Sequence, residues 1–267
     1  MLDAPQLQRS FGSASVRFDR GRLVGLMQRG SAKAMLPRSH GSRPEVVFLN
    51  TSGGLTSGDR LEYRLDIGAG VRAVATTQTA ERAYRADGPP ARARVDLVVG
   101  QGAELDWLPQ DTILFDGASL ARETRVALAG DARFLGIETI VLGRAAMGET
   151  VTCLSLSDRR RIERDGRVVL LDPFRLDDAA LSRAEGRALL AGARAVAVLV
   201  LIAPDAADVL AGLRAEMDEP GVTAAASASD GRLVLRCLAT DAWPLRRQII
   251  RLIHRLRPDA LPRVWQI

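Results

Sequence analysis

Short segments rich in apolar and β-branched residues follow one another through the first half of the chain, with no helical pattern between them. Glycine turns separate several of these segments, as at Gly68 to Gly70 and at Gly100 to Gly102. Strands at this spacing predict a mostly β fold, with antiparallel or coiled strands rather than βαβ units. The predicted strands cover residues 13–18, 22–28, 46–50, 60–67, 71–77, 93–99, 103–108, 124–128 and 134–142.

The last third of the chain adds further strands. Residues 195–203 form a β-branched apolar run that is typical of a buried strand. Asp230 and Gly231 stand between two apolar runs, at residues 222–228 and 232–239. An Asp-Gly pair in that position is the strongest sequence signal for a hairpin, so a hairpin is predicted there.

Two helices are predicted in the same third. The first is predicted to begin at Pro204 and Asp205, and the second covers residues 241–256. The second helix carries an apolar stripe made of Leu245, Ile249, Leu252, Ile253 and Leu256. No internal repeat or low-complexity linker interrupts the chain, so we expect one domain over residues 1–267.

Composition argues against a nucleic-acid binder or a membrane protein. The formal net charge is +5, but the arginines are scattered and only 4% of residues are aromatic. The densest basic cluster, Arg159 to Arg161 with Arg164, is predicted to be a solvated loop or turn. No signal peptide is recognised, and residues 195–203 are too few to cross a bilayer. We therefore expect a cytoplasmic protein.

Residue motifs that are typical of catalytic or metal-binding sites are scarce in the sequence. Cys153 and Cys237 lie far apart and are predicted to be buried free thiols. Two histidines, His40 and His254, are too few for a nickel or zinc site of several imidazoles, and His254 is expected at the surface. The glycine-rich residues 50–59 lack the P-loop lysine and lead into a strand, so a tight turn is favoured over phosphate binding.

Acidic residues within apolar strands are the remaining candidates. Glu104 and Asp106 are two residues apart and so face one side of their strand, which leaves a carboxylate-dependent hydrolase of unknown substrate as one interpretation. Glu138 interrupts the apolar residues 134–142 and is costly to bury unless it is paired. It either pairs with an arginine such as Arg144 or lines a polar passage for a cation that carboxylates can bind.

Five segments together resemble the urease accessory protein D family, called H in some bacteria. They are NTSGGL (50–55) with Gly58-Asp59, TTQ (76–78) with Tyr84-Arg85, LDWLPQDTILF (105–115), GRAAMGE (143–149) and LPRVW (261–265). The segments occur in the family's order, and the resemblance extends from about residue 12 to the end of the chain.

This resemblance implies a mostly β fold, a right-handed helical arrangement of many short strands, with two or more helices toward the C-terminus. It also implies an accessory protein without catalytic turnover, which acts as a scaffold and nickel conduit. The implied partners are accessory protein F, the GTP-hydrolysing accessory protein G, apo-urease and the nickel-binding accessory protein E. Nickel would be in transit through an internal tunnel, and no cofactor would be tightly bound.

A transit path must release its cation, which carboxylates and hydroxyls do more readily than a cluster of imidazoles. The residues expected to line or support such a path are Asp59, Thr76, Thr77, Glu104, Glu138, Glu149 and Asp172. Glu138 and Asp172 are included for their local chemistry, whereas the other five lie in or beside the segments that carry the resemblance.

Overall fold

A computed structural model describes residues 9–38, 43–259 and 261–266, and it confirms a mostly β fold of stacked coils, like a β-solenoid. In chain order the strands are β1 (Phe11–Asp19), β2 (Arg22–Gly30), β3 (Ala32–Met35), β4 (Glu45–Asn50), β5 (Arg60–Ile67), β6 (Arg72–Thr77), β7 (Glu81–Ala83), β8 (Ala91–Val99), β9 (Glu104–Leu108), β10 (Thr112–Leu114), β11 (Ala118–Leu128), β12 (Arg133–Leu142), β13 (Leu154–Arg164), β14 (Arg167–Asp177), β15 (Ala195–Ile202), β16 (Val222–Ser229) and β17 (Arg232–Ala239). The helices are α1 (Asp178–Leu181), α2 (Leu210–Ala215) and α3 (Ala242–Leu256), with short 3-10 turns at Ala145–Met147 and Arg263–Trp265.

The strands form two sheets. Sheet A has the order β14-β13-β11-β8-β5-β1-β2, and sheet B has the order β16-β17-β15-β12-β9-β6-β4-β3. In sheet B, β10 also pairs with β12, and β7 pairs with β10. Successive coils add strands to both sheets in turn, so the central strands of each sheet pair in parallel. This stacking places residues one coil apart side by side, for example Leu61 beside Ala93 and Ala93 beside Arg122.

Apolar side chains fill the space between the two sheets, including Phe48, Leu65, Leu97 and Leu120. A second apolar layer covers the opposite face of sheet B, where α2 and α3 pack. Within α3 the predicted stripe is confirmed, because Leu245, Ile249, Leu252 and Ile253 are all buried. The fold therefore has two apolar layers, one on each face of sheet B.

The predicted hairpin is also confirmed. Asp230 and Gly231 join β16 to β17, and both have positive φ angles, of 47° and 72°. Positive φ at both central residues matches the right-handed twist of paired strands, which is why Asp-Gly is favoured there. Among the described residues, no helix has the length and apolar character needed to span a bilayer.

Three local predictions were wrong. The arginines Arg159 to Arg161 and Arg164 belong to β13 rather than to a loop, and Arg160 is buried. The helix expected from Pro204 begins only at Leu210, because residues 204–209 form successive turns. Cys153 is exposed; Cys237 is buried as predicted, and burial raises the pKa of its thiol to about 12. His254 is exposed as predicted, while His40 lies outside the described residues.

Candidate functional site

Two cavities interrupt the apolar core between the sheets. The larger has a volume of about 90 Å³, and its walls include Thr77, Glu81, Arg122 and Glu138. The smaller has a volume of about 20 Å³, enough for about one water molecule, and its walls are mostly apolar. Trp107 and Glu138 belong to the walls of both cavities. These two side chains therefore stand between one cavity and the next.

Buried charged residues lie beside these cavities and link β11, β12, β13, β14 and β17. We call them the interior ion cluster, and its members are Arg122, Glu138, Asp158, Arg160, Asp172 and the exposed Arg236. Three guanidinium groups balance three carboxylates. A buried charge is tolerated only when it is paired and hydrogen-bonded, so the composition of the cluster explains how it persists in an apolar core.

Asp158 is the centre of the cluster. Its carboxylate accepts two hydrogen bonds from Arg122, with Nε at 2.9 Å and Nη2 at 2.8 Å. Nη1 of Arg160 donates a third at 2.8 Å. Although burial acts to raise the pKa of Asp158, the two arginines outweigh it and hold that pKa below its usual range. Asp158 is therefore ionised at neutral pH.

Arg160 connects Asp158 to the other two carboxylates. Its Nη1 donates to Glu138 at 3.0 Å, and its Nε donates to Asp172 at 2.8 Å. Glu138 also accepts a hydrogen bond from the hydroxyl of Thr124 at 2.5 Å. Burial acts to lower the pKa of Arg160, but the surrounding carboxylates outweigh it and raise that pKa. Arg160 thus stays charged and joins the three acids of the cluster.

Glu138 pairs with arginines, as one of the two alternatives predicted, but Arg144, the arginine named as an example, is not one of them. Arg144 donates instead to Glu149, with Nε at 2.8 Å, and its guanidinium lies 4.4 Å from the ring centroid of Phe115. Glu138 is paired with Arg160 and with Arg122, which are far from it in sequence. The parallel pairing of β11 with β13 sets the two arginines on neighbouring strands, and sequence separation gives no hint of it.

The predicted path residues fall into two groups. Thr77 and Glu138 line the larger cavity, and Asp172 joins Glu138 through their shared contact with Arg160. Asp59 instead closes the glycine turn, because its carboxylate accepts from the backbone N–H groups of Ser10 at 2.6 Å and Thr56 at 2.9 Å. The glycine-rich segment is therefore a turn, as predicted.

The hydroxyl of Thr76 forms a hydrogen bond with Trp265, near the C-terminus. Its hydroxyl donates to the carbonyl of Leu108 at 2.6 Å and accepts from the indole N–H of Trp265 at 3.3 Å. Arg246 of α3 lies over the same indole ring, with its guanidinium 4.6 Å from the ring centroid. Because these contacts lie on the face of sheet B that α3 covers, Thr76 does not share the cavity with Thr77.

Glu104 and Glu149 have local partners of their own. Glu104 pairs with Arg72 at 3.2 Å and with Arg133 at 3.5 Å, at a partly exposed position. Glu149 also accepts from the backbone N–H of Asp116 at 3.2 Å, and its hydrogen bond from Arg144 helps to lower its pKa. These two acids hold surface loops and strand ends, away from the interior ion cluster.

The carboxylate pair of the hydrolase interpretation is engaged in ion pairs. Asp106 is buried and accepts from Arg43 and Arg257, each at 2.9 Å. Glu104, on the same strand, is held by its own arginines. A general acid or base must be free to exchange a proton with substrate, so this arrangement favours structural ion pairs. Across the described ranges, no group of three or more His, Cys, Asp or Glu side chains is placed to hold a metal ion.

Sequence reasoning missed four residues that prove central to the site: Glu81, Arg122, Asp158 and Arg160. A signal for two of them was present in β13, because Leu154, Leu156 and Ile162 are separated by even numbers of residues. That period places Asp158 and Arg160 on the same buried face. Because neighbouring residues are also arginines, the segment resembled a run of solvent-exposed charged residues, and the strand was not recognised.

Glu81 lies in the wall of the larger cavity beside Asn50, whose amide nitrogen is 3.3 Å from its carboxylate. Burial raises the pKa of Glu81 from 4.5 to about 7. A carboxyl group with that pKa changes charge close to neutral pH. The cavity therefore contains one acid that is half-protonated near neutrality.

We expect Glu81→Gln to remove a pH-dependent loss of stability. Because the pKa of Glu81 is raised in the folded chain, its contribution is present below about pH 4.5 and is lost as the pH rises through about 7. Relative to the variant, the wild type should lose about 2–3 kcal/mol in free energy of unfolding between pH 5 and 8.5. Denaturant titrations at both pH values measure this, with the exposed Glu62→Gln as the control. If the wild type and the Glu81→Gln variant differ in free energy of unfolding by the same amount at both pH values, the prediction is contradicted.

Comparison with known proteins identifies the family. The profile of the family described as UreD urease accessory protein matches residues 10–266 of the chain. A urease accessory protein UreD of Paracoccus denitrificans is 60% identical over 262 residues, covering 98% of this chain and 94% of the relative. One of Cereibacter sphaeroides is 58% identical, covering 97% and 96%, and one of Dinoroseobacter shibae is 51% identical, covering 99% and 95%. The chain belongs to the UreD urease accessory protein family.

Proposed function

We propose that this protein takes part in urease maturation as a scaffold and nickel conduit, without catalytic turnover of its own. Membership of the family, with relatives of about the same length that are named urease accessory proteins, supports the role in maturation. The proposed partners are accessory proteins F and G, the nickel-binding accessory protein E and apo-urease, and the proposed place of action is the cytoplasm. Nickel is the cargo rather than a resident cofactor.

The observation that carries the conduit proposal is the pair of adjoining cavities with buried charged residues beside them. Two adjoining cavities share Glu138 in their walls. Arg160 forms ion pairs with both Glu138 and Asp172, and so links the two carboxylates. Carboxylate and hydroxyl oxygens are suitable ligands for a borderline divalent cation that must later be released. We assign Thr77, Glu138 and Asp172 to the path, and Asp59, Thr76, Glu104 and Glu149 to the support of the surrounding fold.

The arginines of the interior ion cluster determine the affinity of the path for nickel. Arg122 and Arg160 already neutralise the carboxylates, so a passing cation has to displace a guanidinium group from Glu138 or Asp158. This competition offsets part of the attraction between cation and carboxylate, because each acid keeps a counter-ion when the cation leaves. The result is an interior that accepts a cation briefly and does not retain it.

We expect Glu138→Gln to reduce nickel delivery while leaving the complex intact. Glutamine keeps the shape of the side chain and its bond with Thr124, but it removes the negative charge. The measurement is the nickel content of urease activated by co-expressed accessory proteins, alongside the yield of the purified complex. Nickel content should fall several-fold at unchanged complex yield. The control is Glu123→Gln on β11, which is half-buried at the outer face of sheet A, where it pairs with Arg125.

Two outcomes would count against this proposal. Normal nickel content with Glu138→Gln would remove that carboxylate from the path. Loss of the complex with Glu138→Gln, but not with Glu123→Gln, would assign Glu138 to the stability of the fold rather than to transport.

A further inference from the structure

Six exposed apolar side chains lie together at one end of the solenoid. Four of them lie on β2, where Leu23, Val24, Leu26 and Met27 are 44–56% exposed. Phe11 of β1 and Met35 of β3, at 40% and 54%, belong to the same end, because β2 closes one edge of sheet A and β3 closes one edge of sheet B. End repeats of solenoids normally carry polar caps that keep them soluble. Here the first coil presents apolar side chains instead.

Strand β2 also has an unused hydrogen-bonding edge. Within the described part of the chain it pairs only with β1, as the last strand of sheet A. The pairing is regular over residues 25–30, beyond the irregularity opposite Arg17 and Phe18. A long edge strand with apolar side chains is a template for the addition of another strand. Most proteins protect such an edge, which makes its exposure here informative.

The described residues cover only part of the face of β2 that points toward the core, where Leu23 and Leu26 are 44% and 45% exposed. Leu26 pairs with Val16 and Leu23 pairs with Phe18, and both of these β1 residues are buried between the sheets. Paired residues on neighbouring strands share a face, so Leu23 and Leu26 extend the core surface by one strand. A further strand beside β2 would carry apolar side chains over this surface and complete the coil.

The basic residues near the ends of β2 indicate the charge that this further strand must carry. Arg20 and Arg22 stand at the beginning of β2, and Arg29 stands at its end, where Lys33 also donates to the carbonyl of Gly30. None of these four basic residues forms an ion pair with another described residue. Both ends of the edge therefore attract negative charge, while the middle attracts apolar side chains.

A second copy of the chain does not satisfy these charges. Antiparallel pairing of β2 with itself about Leu26 would set Arg22 opposite Gly30 and Arg29 opposite Leu23, and parallel pairing in register would set each arginine beside its equivalent. Like charges placed directly opposite each other destabilise a pair of strands. Strand β2 has no acidic residue, so the β2 of a second copy supplies no carboxylate to these basic residues in either arrangement. A segment of a different protein with acidic ends fits the edge better.

We propose that β2 receives an extended segment of a partner protein, which adds a strand along residues 22–30. The segment carries alternating apolar residues, which cover Leu23 and Leu26, and acidic residues at both ends, which face Arg22 and Arg29. This docking surface is separate from the interior path for nickel, so it stands whether or not the conduit proposal is correct.

A synthetic peptide tests the surface on the full-length protein. The probe is nine residues long, the length of β2, with glutamate at both ends and alternating valine and threonine between. Its binding should slow hydrogen exchange of the β2 amides. A second peptide with lysine at both ends should bind about tenfold more weakly, because two favourable end contacts become repulsive. Equal affinity of the two peptides, or no protection of β2 by the first, would overturn the proposal.

Two variants and a sedimentation measurement complete the test. Leu26→Glu should weaken binding of the first peptide about tenfold, because it places a charge on the apolar contact face. Met147→Glu, at an apolar side chain that is 74% exposed far from β2 in sequence, is the control and should bind normally. Equal loss in both variants would overturn the proposal. So would a dimer of the free chain that Leu26→Glu dissociates, since a second copy would then be the occupant.

Discussion

Replacing Asp158 with alanine should lower the free energy of unfolding by about 3–5 kcal/mol, which is a large part of the stability of most domains. Asp158 accepts three hydrogen bonds from Arg122 and Arg160, and both arginines are buried. Removing the carboxylate leaves two guanidinium groups in an apolar core with one acid fewer. The penalty of an unpaired buried charge is much larger than the net value of the pair itself.

The matched control is Glu123→Ala. Glu123 lies on β11 next to Arg122, but it faces outward and pairs with exposed Arg125 and Arg159. Surface pairs of this kind are worth roughly 0–1 kcal/mol. Urea denaturation of both variants measures the difference. If Asp158→Ala costs no more than Glu123→Ala, the interior ion cluster is not the buried, balanced network that the distances describe.

The coiled β architecture was predictable because its signals are local. The hairpin at Asp230 and Gly231 and the apolar stripe of α3 follow from periodicity and turn chemistry within a few residues. Strand β13 was missed although it has the same kind of period, because four arginines in six positions suggested a solvated loop. Burial of a charged residue depends on partners from other coils, which a local pattern does not contain.

The candidate site shows the same limit more clearly. Glu138 was recognised as an anomaly, since an acid within an apolar strand needs a partner. Its partners, Arg122 and Arg160, come from two other strands that the parallel stacking of sheet A sets side by side. Thr76 and Thr77 are neighbours in sequence, yet one contacts Trp265 and the other lines the cavity, because successive side chains of a strand point to opposite faces.

The second large effect is expected when the proposed passage of nickel through the larger cavity is blocked. Ala93 lies on β8 in the wall of the larger cavity, beside Leu61 and Arg122, and it is partly exposed. A thiol placed there could be modified reversibly, so that one sample is measured open, blocked and open again. The background would be Cys153→Ser, which removes the exposed native cysteine, and Cys237 is buried. The control is Ala121→Cys, on the outer face of sheet A.

The decisive measurement is urease activation, with nickel content, by the Ala93→Cys protein before labelling with a methanethiosulfonate reagent, after labelling and after reduction. A label in a cavity of about 90 Å³ fills most of it, so activation should fall at least tenfold and return when the label is reduced off. The Ala121→Cys protein should keep its activity throughout, and both labelled proteins should still form the complex. Full activation and full nickel content with the labelled Ala93→Cys protein would contradict the claim that nickel passes between the two sheets.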